Sequence, residues 1–366
     1  MIPIKIDDKN IAFRDLHFDK VSDSIQTLLI IRRDDFLTNS FEYKALDWID
    51  WHLNLILKED VNKLRKIITS FTFFVKSFIS IIKLTIDDTI TQTNLKQICR
   101  ENKIKGFSKK NKTALISLIN TSLPVSGKVI NNLKYMNLSN KINLILKDIF
   151  EDFYKSKWDN IQGYNQYDFI KIHNINTCPY CNRNYISIVD RDKNKENGIR
   201  PDIDHFFPKS IYPYLAMSFY NLIPSCQVCN HTKSSKDTYK NKLLSPYEID
   251  ENTFKLTYKF NYINFLDKSY NTPNISVQFK NKDTKSEEYF KLETLYRGHQ
   301  DIVLELLIKR TIYTKSYIKE LKQNFRFTDD EIYRFLLCNY TKDEDLHKRP
   351  LSKLIKDISK ELELIK

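Results

Sequence analysis

Apolar residues recur at every third or fourth position along most of the chain, which is the spacing of one face of an α-helix. This spacing predicts a helix that begins at Thr328, where Thr-Asp-Asp-Glu forms a capping box, and a last helix from about Leu351. Further helices are predicted over residues 21–33, 45–57, 61–84 and 292–325. On the second of these, Trp48 and Trp51 are expected to pack in the core.

Alternation of apolar and polar residues, which is typical of β-strands, occurs in a few short stretches. Residues 185–189 alternate and are rich in β-branched side chains, and another short strand is predicted to end near Asp204 and His205. Residues 254–260 and 275–279 are predicted to form a small hairpin. The predicted fold class is therefore mainly α with a small α+β core.

The chain carries no internal repeat, long low-complexity tract or clear linker, so its organisation is predicted from changes in the pattern. We expect five segments: a helical N-terminal region (1–90), a basic helical hairpin (91–125), a helical connector (126–177), a central module (178–245) and a C-terminal region (246–366) in which a small β-hairpin precedes helices.

Composition narrows the function classes. The 366 residues include 59 Lys and Arg against 46 Asp and Glu, a net charge of +13, which indicates a polyanionic partner such as nucleic acid. The alternative is an AT-rich genome that raises Lys, Asn and Ile together. A hydrophobic content of 41% excludes general disorder, and 5 glycines with no GxGxxG or GxxxxGK[ST] pattern argue against a phosphate-binding glycine loop.

The chain shows no targeting or membrane-spanning pattern. Its N-terminus lacks a basic region followed by an apolar run, and the most apolar stretch, 67–84, is interrupted by Lys76 and Lys83. We therefore expect a cytoplasmic protein that does not bind membranes. In that reducing compartment, cysteines are expected to be thiols or metal ligands rather than disulfides.

Four of the six cysteines form two Cys-x-x-Cys pairs, Cys178 with Cys181 and Cys226 with Cys229. Two such knuckles complete a tetrahedral set of four thiolates, the usual closed geometry of structural Zn²⁺. A single pair could instead be a redox motif, but two pairs in one region favour zinc. The remaining Cys99 and Cys338 are expected to be small buried hydrophobic residues.

The segment between the knuckles contains an Asp-His pair, Asp204-His205, followed by Asn221-Leu222, and the second knuckle continues as Cys-x-x-Cys-Asn-x-x-Lys through Asn230 and Lys233. In this order, over residues 178–240, these elements resemble the HNH endonucleases of the zinc-containing ββα-metal type. The sequences around them, FFPKS and YPYLAMSFYNLIPSC, are most similar to HNH nucleases of bacterial anti-phage systems, including the HNH subunits of Septu-type systems and retron-associated effectors.

This resemblance implies a division of roles for phosphodiester hydrolysis. His205 would act as general base, and Asp204 and Asn230 would hold one Mg²⁺ or Mn²⁺ ion that acts as Lewis acid. Asn221 would hydrogen-bond across the loop and orient the His205 strand. Lys233 and Lys236 would meet phosphates at the helix that follows. Two alternatives remain open: His231 as a ligand in place of Asn230, and Asp202 as a neighbour of the site rather than a ligand.

Residues 94–120 have a pattern of their own, helix, short extended turn and helix, with Gly106 in the turn. This stretch contains seven basic residues and one acidic residue, Glu101, so its net charge is +6 in 27 residues. The basic residues are Lys96, Arg100, Lys103, Lys105, Lys109, Lys110 and Lys112. The central Lys-Gly-Phe-Ser-x-x-x-Lys, residues 105–112, resembles a SAP-type DNA-binding motif, which could contact phosphates through Lys109, Lys110 and Lys112 without recognising sequence. The alternative is a helical hairpin with a solvated basic face.

The hypothesis favoured by these features is a metal-dependent endonuclease that cuts DNA in anti-phage defence. Double-stranded DNA is the expected partner, and the resemblance adds an ATPase or sensor subunit. A homodimer would suit paired cuts. The alternative from another class is a non-catalytic zinc-dependent nucleic-acid-binding or scaffold protein. An HNH endonuclease of a restriction system or mobile element is a further alternative, which shares the chemistry. The presence of both Asp204 and His205 favours the enzyme.

Overall fold

A computed structural model describes residues 1–80, 91–101, 103–122, 128–190, 198–260 and 275–365. This described part is mainly helical, with two small antiparallel sheets and a cluster of four cysteines, so the expected class is confirmed. The α-helices are α1 Asp8–Asp34, α2 Phe41–Trp51, α3 Leu53–Lys58, α4 Val61–Ser77, α5 Gln92–Glu101, α6 Lys112–Ser122, α7 Lys128–Leu146, α8 Gln166–His173, α9 Gln227–Lys233, α10 Thr284–Phe290, α11 Leu292–Tyr296, α12 Gln300–Ile312, α13 Lys315–Phe325, α14 Asp329–Leu337 and α15 Ser352–Glu361.

Each sheet has two antiparallel strands. β1 (Asp202–His205) pairs with β2 (Leu222–Ser225), and β3 (Lys255–Phe260) pairs with β4 (Ile275–Asn281). The expected hairpin over 254–260 and 275–279 is thus present, and the strand expected to end at Asp204-His205 does so. Residues 185–189 form no strand and make only isolated bridges, Thr177 to Tyr185 and Val189 to Ile199.

The helices begin and end where capping side chains allow it. The expected capping box at Thr328 is present, with Glu331 returning its side chain to the Thr328 backbone. The expected helix over 292–325 is instead three α-helices. A 3₁₀ turn at Arg297–His299 separates α11 from α12, and Thr314 separates α12 from α13, because it leaves the helical conformation and accepts a hydrogen bond from the Tyr317 N–H. The helix expected over 61–84 is α-helical as far as Ser77, and residues 81–84 lie outside the described ranges.

Two expectations about buried side chains are wrong. Trp51 is 83% exposed at the end of α2, whereas Trp48 is half-buried and stacks on His52. Cys338 is exposed because it terminates α14 in a left-handed conformation rather than continuing its apolar face, whereas Cys99 is buried as expected. Periodicity identifies a helix but does not fix how far its apolar face extends at the ends.

One hydrophobic core joins the N-terminal helices, the connector and the central module. At its centre His17 of α1 bonds Tyr164 and the carbonyl of Met217, at 2.8 and 2.7 Å. A second core lies under the β3–β4 sheet and α12 and α15, and a small third core lies between α5 and α6. Among the described residues, no helix is long and apolar enough to span a membrane.

Candidate functional site

The central module is built from β1, β2 and α9 in chain order. β1 and β2 are antiparallel, with Asp204 opposite Ile223 and His205 opposite Leu222. Cys226 directly follows β2 and occupies the N-cap position of α9, and Cys229 lies within α9, so the second knuckle is held between a strand and a helix. This arrangement brings side chains of β1 and α9 together at one end of the module.

The four knuckle cysteines form a candidate metal centre. All four are buried, and their sulfur atoms lie within 4.8 Å of one another, with Cys181 and Cys226 Sγ atoms 3.9 Å apart. Thiolates around a tetrahedral Zn²⁺, at about 2.3 Å each, are separated by roughly 3.8 Å. Among the residues that the structure describes, this is the one group of three or more Cys, His, Asp or Glu side chains with ligand atoms this close.

The chemistry of these thiols fits a cation. All four are free thiols rather than disulfides. Burial raises the pKa of Cys178, whereas hydrogen bonds from the three neighbouring thiols lower the pKa of Cys226. Because sulfurs this close cannot all ionise without a positive charge between them, a soft divalent ion such as Zn²⁺ suits the set.

His205 is buried at the end of β1 with one ring nitrogen engaged. Its Nε2 lies 3.0 Å from the carbonyl oxygen of Ala216. A carbonyl only accepts hydrogen bonds, so Nε2 carries the proton of the neutral ring and Nδ1 keeps the lone pair. Burial, followed by the positive charges of Lys209 and Lys233, lowers the pKa of His205 well below its ordinary value. The ring is therefore neutral near pH 7 and able to accept a proton.

Asp204 is buried beside His205 and has both carboxylate oxygens engaged. The Lys233 Nζ lies 2.9 Å from one oxygen, and the Tyr180 hydroxyl donates to the other at 2.6 Å. Lys233 also donates to the backbone carbonyl of His205 at 2.6 Å. Strand β1 and helix α9 are thus joined by an ion pair whose partners are 3% and 1% exposed.

The predicted pair of metal ligands is not brought together directly. The side-chain amide of Asn230 donates to Asp202, at 2.9 Å, rather than contacting Asp204. Asp202 and Asp204 are two residues apart on β1, which places their side chains on the same face of the strand. The candidate oxygen donors on β1 and α9 are therefore Asp202, Asp204 and Asn230, while His231 is exposed.

Asn221 is fully buried and joins the two ends of the loop that follows His205. Its Oδ1 accepts from the Phe207 N–H at 2.6 Å, and its Nδ2 donates to the carbonyls of Phe207 and Leu215. Asn221 therefore hydrogen-bonds to both Phe207 and Leu215 of this loop. Its effect on catalysis stays a prediction.

Lys233 and Lys236 were both expected to contact phosphates, but one is buried and the other is exposed. Lys236 follows the end of α9 and is exposed, with its ammonium 3.1 Å from the Thr232 carbonyl and 5.1 Å from the centre of the Tyr289 ring. Lys233, the last residue of α9, is buried, so its placement corrects the expected phosphate contact. The reason is helical spacing: three residues after Asn230, Lys233 returns to the face that packs on β1.

Three neighbours of the site are not identified by sequence reasoning. Tyr180, inside the first knuckle, reaches Asp204, and the Tyr154 ring lies edge-on to His205 with centroids 4.6 Å apart. Lys209 places its ammonium 4.3 Å from the centre of the Tyr154 ring, and burial lowers its pKa. Two of them could have been found from their positions in the sequence: Tyr180 lies between the two cysteines of the first knuckle, and Lys209 lies in the FFPKS segment that follows His205.

The basic hairpin is a compact pair of helices. Leu95 and Cys99 of α5 pack against Leu115 and Ile119 of α6, and Gly106 in the turn has a φ of +78°, which favours glycine. Lys109 is exposed, while Lys110 and Lys112 are half-buried. Residues 123–125 of the predicted segment lie outside the described ranges.

Comparison with known proteins gives one likeness to report. The chain is 29% identical over 126 residues to the Septu protein PtuB of Bacillus thuringiensis, which is 34% of this chain and 42% of that protein. The match thus spans less than half the length of the relative. No family model matches the chain. No solved structure matches it.

Proposed function

We propose that this protein is a metal-dependent HNH-type endonuclease that hydrolyses DNA phosphodiester bonds. The observation that carries the proposal is the His205 ring, which is held neutral with Nε2 bonded to the Ala216 carbonyl and Nδ1 left as a proton acceptor. It sits at the end of a strand beside a buried carboxylate, in a ββα unit closed by four cysteines. In this function Nδ1 takes the proton of the attacking water.

The oxygen donors beside His205 suit Mg²⁺ or Mn²⁺, which prefer carboxylates and amide oxygens. Asp204 and Asn230 would hold the ion, with Asp202 next to Asn230. One oxygen of Asp204 is bound by Lys233, so ion binding there requires this ammonium to move. When bound, the ion would supply Lewis acidity to the phosphate. The four cysteines, which leave no open position, would hold a structural Zn²⁺.

The likeness to a Septu protein supports a role in anti-phage defence, together with a second component such as an ATPase or sensor subunit. The basic hairpin and Lys236 are the proposed contacts to DNA, because counterion release favours binding of phosphates by such clusters. Asn221 would orient the loop that positions His205. A homodimer would place two such sites on one duplex.

The experiment is a cleavage assay on plasmid DNA and on RNA, with and without Mg²⁺ or Mn²⁺, comparing the wild-type protein with His205→Ala. We expect metal-dependent DNA cleavage that falls by roughly a hundredfold or more in the variant, because general-base catalysis contributes about 10²–10⁴-fold. Zinc content should stay as in the wild type, since the change removes none of the cysteine ligands. The thermal transition should be lower, because the change removes a buried ring and its hydrogen bond, but the protein should remain folded at the assay temperature.

Trp51→Ala is the control, because Trp51 is exposed on α2, outside the candidate site, and should leave cleavage unchanged. If the His205 variant cuts as fast as the wild type, the assignment of the general base is wrong. If neither protein cuts but both bind DNA, the non-catalytic zinc-dependent binding or scaffold protein is the better assignment.

A further inference from the structure

Helix α13 (Lys315–Phe325) is an amphipathic helix whose described residues include none that is buried. Tyr317, Leu321 and Phe325 recur every four residues and form one stripe along the helix. Leu321 is half-buried, whereas Tyr317 and Phe325 are 41% and 60% exposed. A stripe of this kind normally faces a core, so its exposure calls for a ligand or partner.

The stripe is extended at both ends by stacked aromatic pairs. The Tyr313 and Tyr317 rings lie nearly parallel, with centroids 5.7 Å apart, and the Phe325 and Phe327 rings are 5.6 Å apart at 19°. Phe327 is itself 40% exposed. Along the helix axis, Tyr317 and Phe325 are about 12 Å apart. The surface therefore offers two flat aromatic platforms joined by Leu321.

The same stretch is strongly basic. Residues 309–327 contain six Lys and Arg residues against Glu320 alone, a net charge of +5. Arg310 and Lys322 are paired with Glu363 and Asp329. Two others are exposed: Lys319, and Arg326, which stands between the two stacked phenylalanines in the chain. A purely apolar protein partner would have to bury this charge, whereas a polyanion would be attracted by it.

We propose that the aromatic ribbon, defined as Tyr313, Tyr317, Leu321, Phe325 and Phe327 with the basic residues Lys319 and Arg326, binds single-stranded nucleic acid. Bases stack on exposed rings whatever their sequence, and cations follow the phosphates. In a duplex the bases are already stacked on one another, so the ribbon favours a single strand. This inference stands apart from the cleavage chemistry, because it uses no residue of the candidate site.

The test measures binding of fluorescent oligonucleotides by anisotropy, using full-length His205→Ala protein so that no strand is cut. The arms are single-stranded DNA, single-stranded RNA and a DNA duplex of equal length. We expect the ribbon to contribute to the binding of at least one single strand and not to the binding of the duplex, which the basic hairpin can also bind. Tyr317→Ala combined with Phe325→Ala should weaken that binding by roughly tenfold or more, and Tyr317→Phe should preserve it.

Trp51→Ala is the matched control, since it removes another exposed ring outside the ribbon. Lys319→Ala with Arg326→Ala should flatten the salt dependence of single-strand binding. Because the substituted side chains are exposed, thermal unfolding should be unchanged, and that measurement separates lost binding from lost folding. A loss of affinity that is as large for the duplex as for the single strand, or unchanged single-strand affinity after both rings are removed, would overturn the proposal. Loss of cleavage activity in other variants has no bearing on it.

Discussion

Lys233 shows how one residue joins several parts of the site. Its ammonium lies between the Asp204 carboxylate and the His205 carbonyl, and both Lys233 and Asp204 are almost fully buried. A buried pair of this kind contributes little net stability compared with apolar residues, but either charge alone is costly. Lys233 therefore fixes the position of α9 on β1 and supplies the positive charge that Asp204 needs when no metal is bound.

This predicts the effect of Lys233→Met, which keeps the length of the side chain and removes the charge. The free energy of unfolding should fall by roughly 3–5 kcal/mol, because Asp204 is left buried without a counter-charge. Adding Asp204→Asn should restore most of the loss. The measurement is urea unfolding without added divalent ions, with Lys236→Met as an exposed control that should change stability by less than about 0.5 kcal/mol.

A similar loss in Lys236→Met, or no recovery in the double variant, would show that the ion pair is not what holds α9.

At the residue scale, some features of the site could be predicted from the sequence and others could not. The cysteine spacing predicts a cluster because a metal constrains four residues at once, and the structure shows that cluster. The direction of Lys233 and the exposure of Trp51 depend on which helix face meets a neighbour, and no local pattern encodes that.

At the scale of elements, the first knuckle is tied to the C-terminal helix through Asn182. The backbone carbonyl of Asn182 accepts a hydrogen bond from the Leu351 N–H at 2.6 Å, and the side-chain Oδ1 of Asn182 accepts one from the Lys353 N–H at 2.9 Å. Its Nδ2 donates to Thr177 and to the Leu346 carbonyl. Because Asn182 directly follows Cys181, metal binding and docking of α15 share the same turn.

Removing the metal should therefore loosen the start of α15. We expect about one Zn²⁺ per chain by elemental analysis. Stripping it with a chelator should speed hydrogen exchange at the amides of Leu351 and Lys353, because the turn that presents Asn182 is no longer fixed. Asn182→Ala should speed the same exchange while retaining the zinc.

The amide of Glu331 in the α14 capping box is the internal control, since its partner is Thr328 and not the knuckle. Exchange that rises equally there, or a protein that contains no zinc and keeps both amides protected, would contradict this link.

Sequence patterns identified both β3 and β4 and the start of α14, because turns and caps are local. The contact of Asn182 with α15 spans 171 positions in the chain and has no local signal.

At the scale of the whole molecule, two buried histidines join segments that are distant in the chain: His17 joins α1 to the connector and the central module, and His173 joins α8 to Tyr247. His17 bonds Tyr164 and Met217, and His173 bonds the Phe169 carbonyl and the Tyr247 hydroxyl. Burial lowers the pKa of each to about 4. The residues between these contacts share one core, so the predicted N-terminal, connector and central segments pack together.

This predicts a loss of stability in mild acid. A pKa of about 4 in the folded state, against 6.5 when unfolded, means that the unfolded chain binds more protons between these values. The free energy of unfolding should therefore fall as pH drops from about 6.5 to 4, by on the order of 3 kcal/mol per histidine. Chemical denaturation across this pH range measures it.

His173→Gln should flatten this pH dependence even though it also lowers stability at pH 7, and His231→Gln, an exposed change, should leave the slope as in the wild type. A slope that is the same in all three proteins would assign the acid sensitivity to other groups.

The mainly helical class was predictable from periodicity, but the burial of these histidines was not, because imidazole fits both core and surface.

The separation of the two knuckles along the chain means that the ribosome synthesises them at different times. Cys181 and Cys226 are 45 positions apart, and every proposed catalytic side chain up to Asn221 lies between them. At about 5–20 residues per second, synthesis separates the two thiols by roughly two to nine seconds. In the later part of that interval, after His205 has been made, a nascent chain has its histidine but no second knuckle to confine it. If the chain is a nuclease as proposed, it would be harmless at that stage and would become dangerous only after the ribosome has passed Cys229.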